Sequence, residues 1–210
     1  MNSFETDMRR AMCSKGFIAG LAAGFLILMK AGFDSDLYRI SFPVLAALPY
    51  TTAWIMDYQS GYLRSYLVRS SRRSYIFGKF ASCVISGGLV VTIPCILYLL
   101  WYKEEAVIHP WLLFFSGMLW AAVSVVLAAI SRSRYLAYGG GFVIYYLLVI
   151  LHERYFTGLY CLYPYEWLYP VHIWVFEGRG IMLLLTGLLL IWCFLYYEIL
   201  YRSIERGAAQ

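Results

Sequence analysis

His152 and Glu153 open a string, His152-Glu153-Arg154-Tyr155-Phe156, that begins like the HExxH helix of a zinc hydrolase. Two imidazoles four residues apart would hold the ion, and the glutamate between them would act as base. Phe156 stands where the second imidazole is required, so that chemistry is excluded. Phe77-Gly78-Lys79-Phe80 contains the Gly-Lys pair of a phosphate loop but lacks its upstream glycine and its following Ser or Thr. The chain is therefore not expected to hydrolyse nucleotide, and neither a catalytic residue nor a metal or cofactor is assigned to it. Asp57 and Glu198 lie near the ends of apolar runs, where they are expected to reach water. No ionisable group is expected deep in the apolar interior, where proton-driven transport places them. His109, His152 and His172 fall at the ends of apolar runs and read as interfacial. The five cysteines, Cys13, Cys83, Cys95, Cys161 and Cys193, form no CxxC pair and read as small buried hydrophobes.

What remains is charge. Residues 56–80, MDYQSGYLRSYLVRSSRRSYIFGKF, hold Arg64, Arg69, Arg72, Arg73 and Lys79, five of the 17 Lys and Arg in the chain. On a helix starting near Gly61, Leu63, Tyr66 and Leu67 fall along one stripe, and Arg64 and Arg72 fall opposite. The polar run Ser70-Ser71-Arg72-Arg73 marks a break.

The elements that would position this stretch are membrane helices. The sequence is 62% hydrophobic and 14% charged, well above the apolar share of about 45–50% in soluble domains. Its apolar runs approach the ~20 residues that a helix needs to cross a bilayer. They are continuous, as in helices, and not alternating, as in a barrel. Six spans are expected, at about 16–33, 38–57, 80–102, 110–130, 135–151 and 180–200. With six spans both termini share a side, and twelve of the 17 cations then fall on that side, which the cation bias makes cytoplasmic. The net charge of +5 is a topology signal first, and no nucleic acid is called for. The fold expected is one all-α membrane domain over 1–210, with residues 1–15 as a cytoplasmic interfacial helix. Phe4, Met8, Ala11 and Met12 would form that helix's apolar face, a frayed tail being the rival reading. Its other parts are a cytoplasmic segment at 58–79 and an external aromatic-rich segment at 152–179.

Gly16, Gly20 and Gly24 recur at four-residue intervals in the first span. Such a small-residue stripe lets another helix approach closely, either in a second subunit or within the chain. Pro43, Pro49 and Pro94 lie within spans and are expected to bend them. In the external segment, Tyr163, Tyr165, Trp167, Tyr169 and Trp174 read as an aromatic belt dipping into the outer surface, or as an exit gate.

Three successive motifs carry a family resemblance. Asp57-Tyr58-Gln59-Ser60-Gly61, then Arg69-Ser70-Ser71-Arg72-Arg73, then Tyr75-Ile76-Phe77-Gly78-Lys79 resemble the connection between the second and third spans of type-2 ABC transporter permeases. The resemblance implies a permease subunit of an ATP-driven exporter in a bacterial cell membrane. It would be multi-pass, work as a dimer with a second copy or a paralogue, and move a hydrophobic or amphipathic peptide, antibiotic or lipid. Residues 61–73 would be a coupling helix docking a cytoplasmic ABC ATPase that binds ATP and Mg. Asp57, Gly61, Leu63, Arg64, Leu67, Arg69, Arg72, Arg73 and Lys79 are the residues it assigns to coupling, with the arginines facing the ATPase and Leu63 and Leu67 in its groove. A membrane-embedded enzyme acting on lipid or peptide is the alternative, and a membrane scaffold a third reading.

Overall fold

The computed structural model describes residues 3–33, 35–67, 71–102, 109–170, 172, 174 and 179–208. Among them every regular element is helical. In chain order these are α1 (Ser3–Met12), α2 (Lys15–Ala31), α3 (Asp36–Ala47), α4 (Ala53–Gln59), α5 (Tyr62–Leu67), α6 (Arg72–Tyr102), α7 (Pro110–Ser131) and α8 (Arg134–Arg154). A 3-10 turn, η1 (Tyr160–Leu162), and α9 (Arg179–Ala208) complete the order.

Local chemistry sets the boundaries. Ser14 caps α2 by accepting from the Phe17 N–H at 3.0 Å, and its hydroxyl donates to the Pro49 carbonyl at 2.9 Å. Gly32, at φ 73°, ends α2 in a conformation that a Cβ would disfavour. Ser35 caps α3 through the Tyr38 N–H, and Pro110 opens α7, where a missing N–H costs nothing.

Four helices are long and apolar enough to cross a membrane: Arg72–Tyr102, Pro110–Ser131, Arg134–Arg154 and Gly180–Glu205. A fifth arises if Phe4–Met12 and Lys15–Ala31, bent by 48°, form one broken span. The run expected as a single span at 38–57 is two helices. Residues 48–52, with Pro49 among them, separate α3 from α4, because a proline cannot donate the next helical hydrogen bond and crowds the preceding turn. At 1.5 Å per residue, α3 is only about 18 Å long and α4 about 10 Å. Pro43 and Pro94, by contrast, remain inside α3 and α6.

The centre of the bundle is α7, which packs on α3, α6, α8 and α9. Its buried positions include Gly117, Ala121, Ala122, Ala128 and Ala129, and small side chains let four neighbours approach one helix. α6 is the second hub, lying against α1, α2, α3 and α9.

The glycine stripe of α2 is used within the chain. A Cβ at Gly16 would strike the Leu48 carbonyl, one at Gly20 would sit 2.6 Å from Val90 Cγ2, and one at Gly24 would touch Pro94. Gly20 and Gly24 are buried. The stripe is therefore an intrachain packing seam against α3, α6 and the break between α3 and α4, and the intersubunit reading falls away. Gly20→Leu should cost about 1–3 kcal/mol through overpacking. The expected result is a lower unfolding midpoint for purified protein held as a monomer in detergent, and an unchanged midpoint would refute the seam.

Candidate functional site at the charged end of the bundle

α1 lies against α6 with Asp7 and Ala11, one helical turn apart, turned inward. Ala11 is fully buried and Asp7 is 4% exposed, whereas Phe4 is 42% exposed. The inward positions of α1 are thus Asp7 and Ala11, and what Asp7 meets there is Lys79.

The Lys79 ammonium is buried, 2% exposed, near the start of α6. Its Nζ lies 2.8 Å from Asp7 Oδ1, 2.7 Å from Asp57 Oδ2 and 3.0 Å from the Tyr50 hydroxyl. An ammonium has three protons and no acceptor, so these three oxygens match its donor capacity. Tyr50 donates onward to Asp7 Oδ1 at 2.8 Å, and Tyr75 donates to Asp57 Oδ2 at 3.1 Å. The rings of the same two tyrosines stand 5.0 and 5.6 Å from Nζ, within cation–π range. Arg10 Nη1 reaches Asp57 Oδ1 at 3.9 Å while its guanidinium covers the Tyr62 ring. Asp7 and Asp57 are thereby balanced by Lys79 and Arg10. The expectation that Asp57 would reach water is overturned: its side chain is 13% exposed, and those of Asp7 and Lys79 are 6% and 3%.

Asp57 belongs to the last turn of α4, and its two successors make contacts of their own. Arg134 donates to Gln59 Oε1 at 2.8 Å. The Arg132 guanidinium lies over the Tyr58 ring and donates to Ser203 of α9 at 3.2 Å. Arg132 can do this because it terminates α7 in the left-handed region, at φ 54°. Asp57, Tyr58 and Gln59 therefore join α1 and α6 on one side to the α7–α8 turn and α9 on the other. Gly61, at φ 71°, then turns the chain into α5, and Tyr66 of α5 packs its ring against Tyr75 at 5.2 Å.

Of the residues assigned to coupling, Asp57 and Lys79 are brought together in the buried cluster and Gly61 supplies the turn. Leu63 is 9% exposed and packs into this chain's own core, so it is not presented to a partner. Arg72 and Arg73 are exposed. Arg64 and Leu67 lie on the α5 backbone, their side chains outside the described residues, as is Arg69 altogether. Asp7, Arg10, Tyr50 and Tyr75 were not singled out. The available signal was Lys79 itself, a cation flush with a long apolar run and four residues after Tyr75, which needed acids from elsewhere.

The opposite end holds a second buried carboxylate. Glu166 is 3% exposed, 2.7 Å from His172 Nδ1 and 3.5 Å from the Trp174 indole nitrogen. Among the described residues no three His, Cys, Asp or Glu are grouped to hold a metal.

Removing one partner from a buried ionic group typically costs about 3–5 kcal/mol, while replacing the whole group by apolar side chains is often neutral. Lys79→Met should accordingly lower thermal stability steeply in detergent, and Lys79→Met with Asp7→Leu and Asp57→Leu should regain most of the loss. A single variant as stable as the wild type would show that the cluster is not coupled. Compared with protein-family models, with curated proteins and with solved structures, the chain matches none.

Proposed function

We propose that this chain is the membrane subunit of an ATP-driven exporter, similar to type-2 ABC permeases, with α5 as the element that docks a separate ATPase. The observation that supports it most is the three-residue hub Asp57-Tyr58-Gln59. A push on α5 is delivered through the Gly61 turn to a residue triplet bonded to α1, α6, α8 and the α7–α8 turn. A transport subunit needs such a junction, because energy released in a soluble partner must reach several spans at once. An ordinary loop that only satisfied topology would need no buried ion cluster beneath it.

The outer surface suits a bilayer. Val143, Leu147 and Ile150 on α8 and Leu183, Leu190, Ile191 and Phe194 on α9 are exposed, and an apolar surface this continuous is stable when lipid covers it. The hub end carries Arg9, Lys15, Arg72, Arg73, Arg132, Arg134 and Arg202, so the cation bias makes it the cytoplasmic face. Exposed Arg72 and Arg73 would steer an acidic patch on the ATPase, adding on-rate and register.

Two variants separate docking from transmission. Leu67→Asp should abolish co-purification of the ATPase, since a carboxylate entering an apolar groove sheds water without gaining a partner. Arg134→Ala removes an exposed hydrogen bond to Gln59, so the ATPase should still co-purify while transport falls several-fold. Isolation from the native membrane with no nucleotide-binding protein attached would overturn the reading.

A further inference from the structure

The segment between α8 and α9 does more than skirt the bundle. Trp167 and Leu168 are 3% and 1% exposed, and the Trp167 ring stacks on Trp120 at 6.0 Å. Trp120 lies ten residues into α7, about 15 Å along its axis. Residues 163–169 therefore form a plug reaching well down between the helices. The plug is tied on several sides: Tyr169 donates to the Phe33 carbonyl at 3.1 Å, Tyr163 donates to Glu153 Oε1 of α8 at 3.4 Å, the Arg39 guanidinium of α3 lies over the Tyr165 and Tyr169 rings, and Trp167 donates to the Cys161 carbonyl at 3.0 Å. Its remaining contacts with α7 and α8 include ring packing, Trp167 on Trp120, Tyr165 on Tyr145 at 6.0 Å and Tyr163 on His152 at 4.1 Å.

The groups under those rings are polar, buried and without a partner among the described residues. Trp120 is 1% exposed and Tyr145 is fully buried, their rings 5.0 Å apart, yet neither the Trp120 Nε1–H nor the Tyr145 hydroxyl is hydrogen-bonded. Ser116 and Ser124, one turn either side of Trp120 on the same face of α7, are fully buried and equally unpartnered. Both ring nitrogens of His152, two turns beyond Tyr145, share this condition. Natural proteins satisfy such atoms almost without exception; among the described residues those of Ser116, Trp120, Ser124, Tyr145 and His152 line this seam, while Tyr38, Trp54 and Tyr196 carry others elsewhere in the bundle. An indole N–H is a donor only, so what satisfies it must accept.

We propose that the α7–α8 seam beneath this plug binds a neutral amphiphile, its ester or amide carbonyl accepting from Trp120 Nε1 and the Tyr145 hydroxyl and its apolar body lying among the rings. The site belongs to this chain alone and stands whether or not an ATPase partner exists. A head with donors and no acceptor, such as an alkylammonium, leaves the indole unsatisfied and is excluded. The plug must withdraw to admit the ligand.

The test uses the purified full chain in nanodiscs, without any ATPase, and a monoacylglycerol carrying a diazirine in its acyl chain. Photolabelled peptides are mapped by mass spectrometry. Labels are expected on 116–124 and 145–152, displaced by monooleoylglycerol and not by oleylammonium of the same chain length. Tyr145→Phe keeps its ring and deletes one donor, and Trp120→Phe deletes the indole N–H together with part of the ring; each should reduce labelling at least about fivefold, the worth of one neutral hydrogen bond. The unfolding midpoint of Tyr145→Phe should not fall, which separates lost binding from lost folding. Equal displacement by both competitors, or undiminished labelling in both variants, overturns the proposal.

Discussion

A protonated amine carried into a nearly dry helix bundle must find an acceptor for each of its protons, and most of what is distinctive at one end of this molecule follows from that demand. Lys79 sits on α6, the first of the four long helices, and its three oxygens come from α1, from the α3–α4 break and from α4. No single helix could supply them, because residues on one face of a helix are spaced for contact with neighbours, not for surrounding a point. The break at Pro49 thus has a second meaning. It ends α3 and delivers Tyr50 beside the ammonium and Asp57 one short helix later, which an unbroken span would have carried elsewhere.

The two hubs of the bundle use opposite means. α7 is central because it is slim: alanines and glycines let several helices close on it. α6 gathers its neighbours by charge at one end and by the glycine stripe of α2 further along. Packing of small residues tolerates sliding, whereas a three-acceptor ion site does not. The charged end therefore sets register, and the slim middle accommodates it.

The helical class and the four long apolar helices were legible in the sequence because apolar run length reports directly on what a bilayer can hold. The bend at Pro49 was legible too, but hydropathy averages over it and carried 38–57 as one run where the structure has α3 and α4. The charged stretch was recognised, and Asp57 and Lys79 within it, yet their burial was not. Charge density along a chain says nothing about which charges face each other, and the decisive acid, Asp7, lies 72 residues before Lys79. Leu63 was placed on a partner-facing stripe by helical spacing, but spacing gives a face and not its direction. The plug was legible only as an aromatic-rich segment. Ring composition suggests an interface, and it takes the stacking of Trp167 on Trp120 to show depth.

The distance in sequence between Asp7 and Lys79 also has a consequence for biogenesis. Synthesis at about 5–20 residues per second separates the two by roughly 4–14 seconds. During that interval α1 has emerged with a carboxylate whose buried partner, Lys79, does not yet exist, and α2 has followed it. An unpaired carboxylate keeps α1 in contact with water, so it cannot follow α2 inward. Its seating waits for the start of α6, so the pairing of the first helix with the sixth comes late in folding, and a chain that stalls before Lys79 leaves its first helix at the surface.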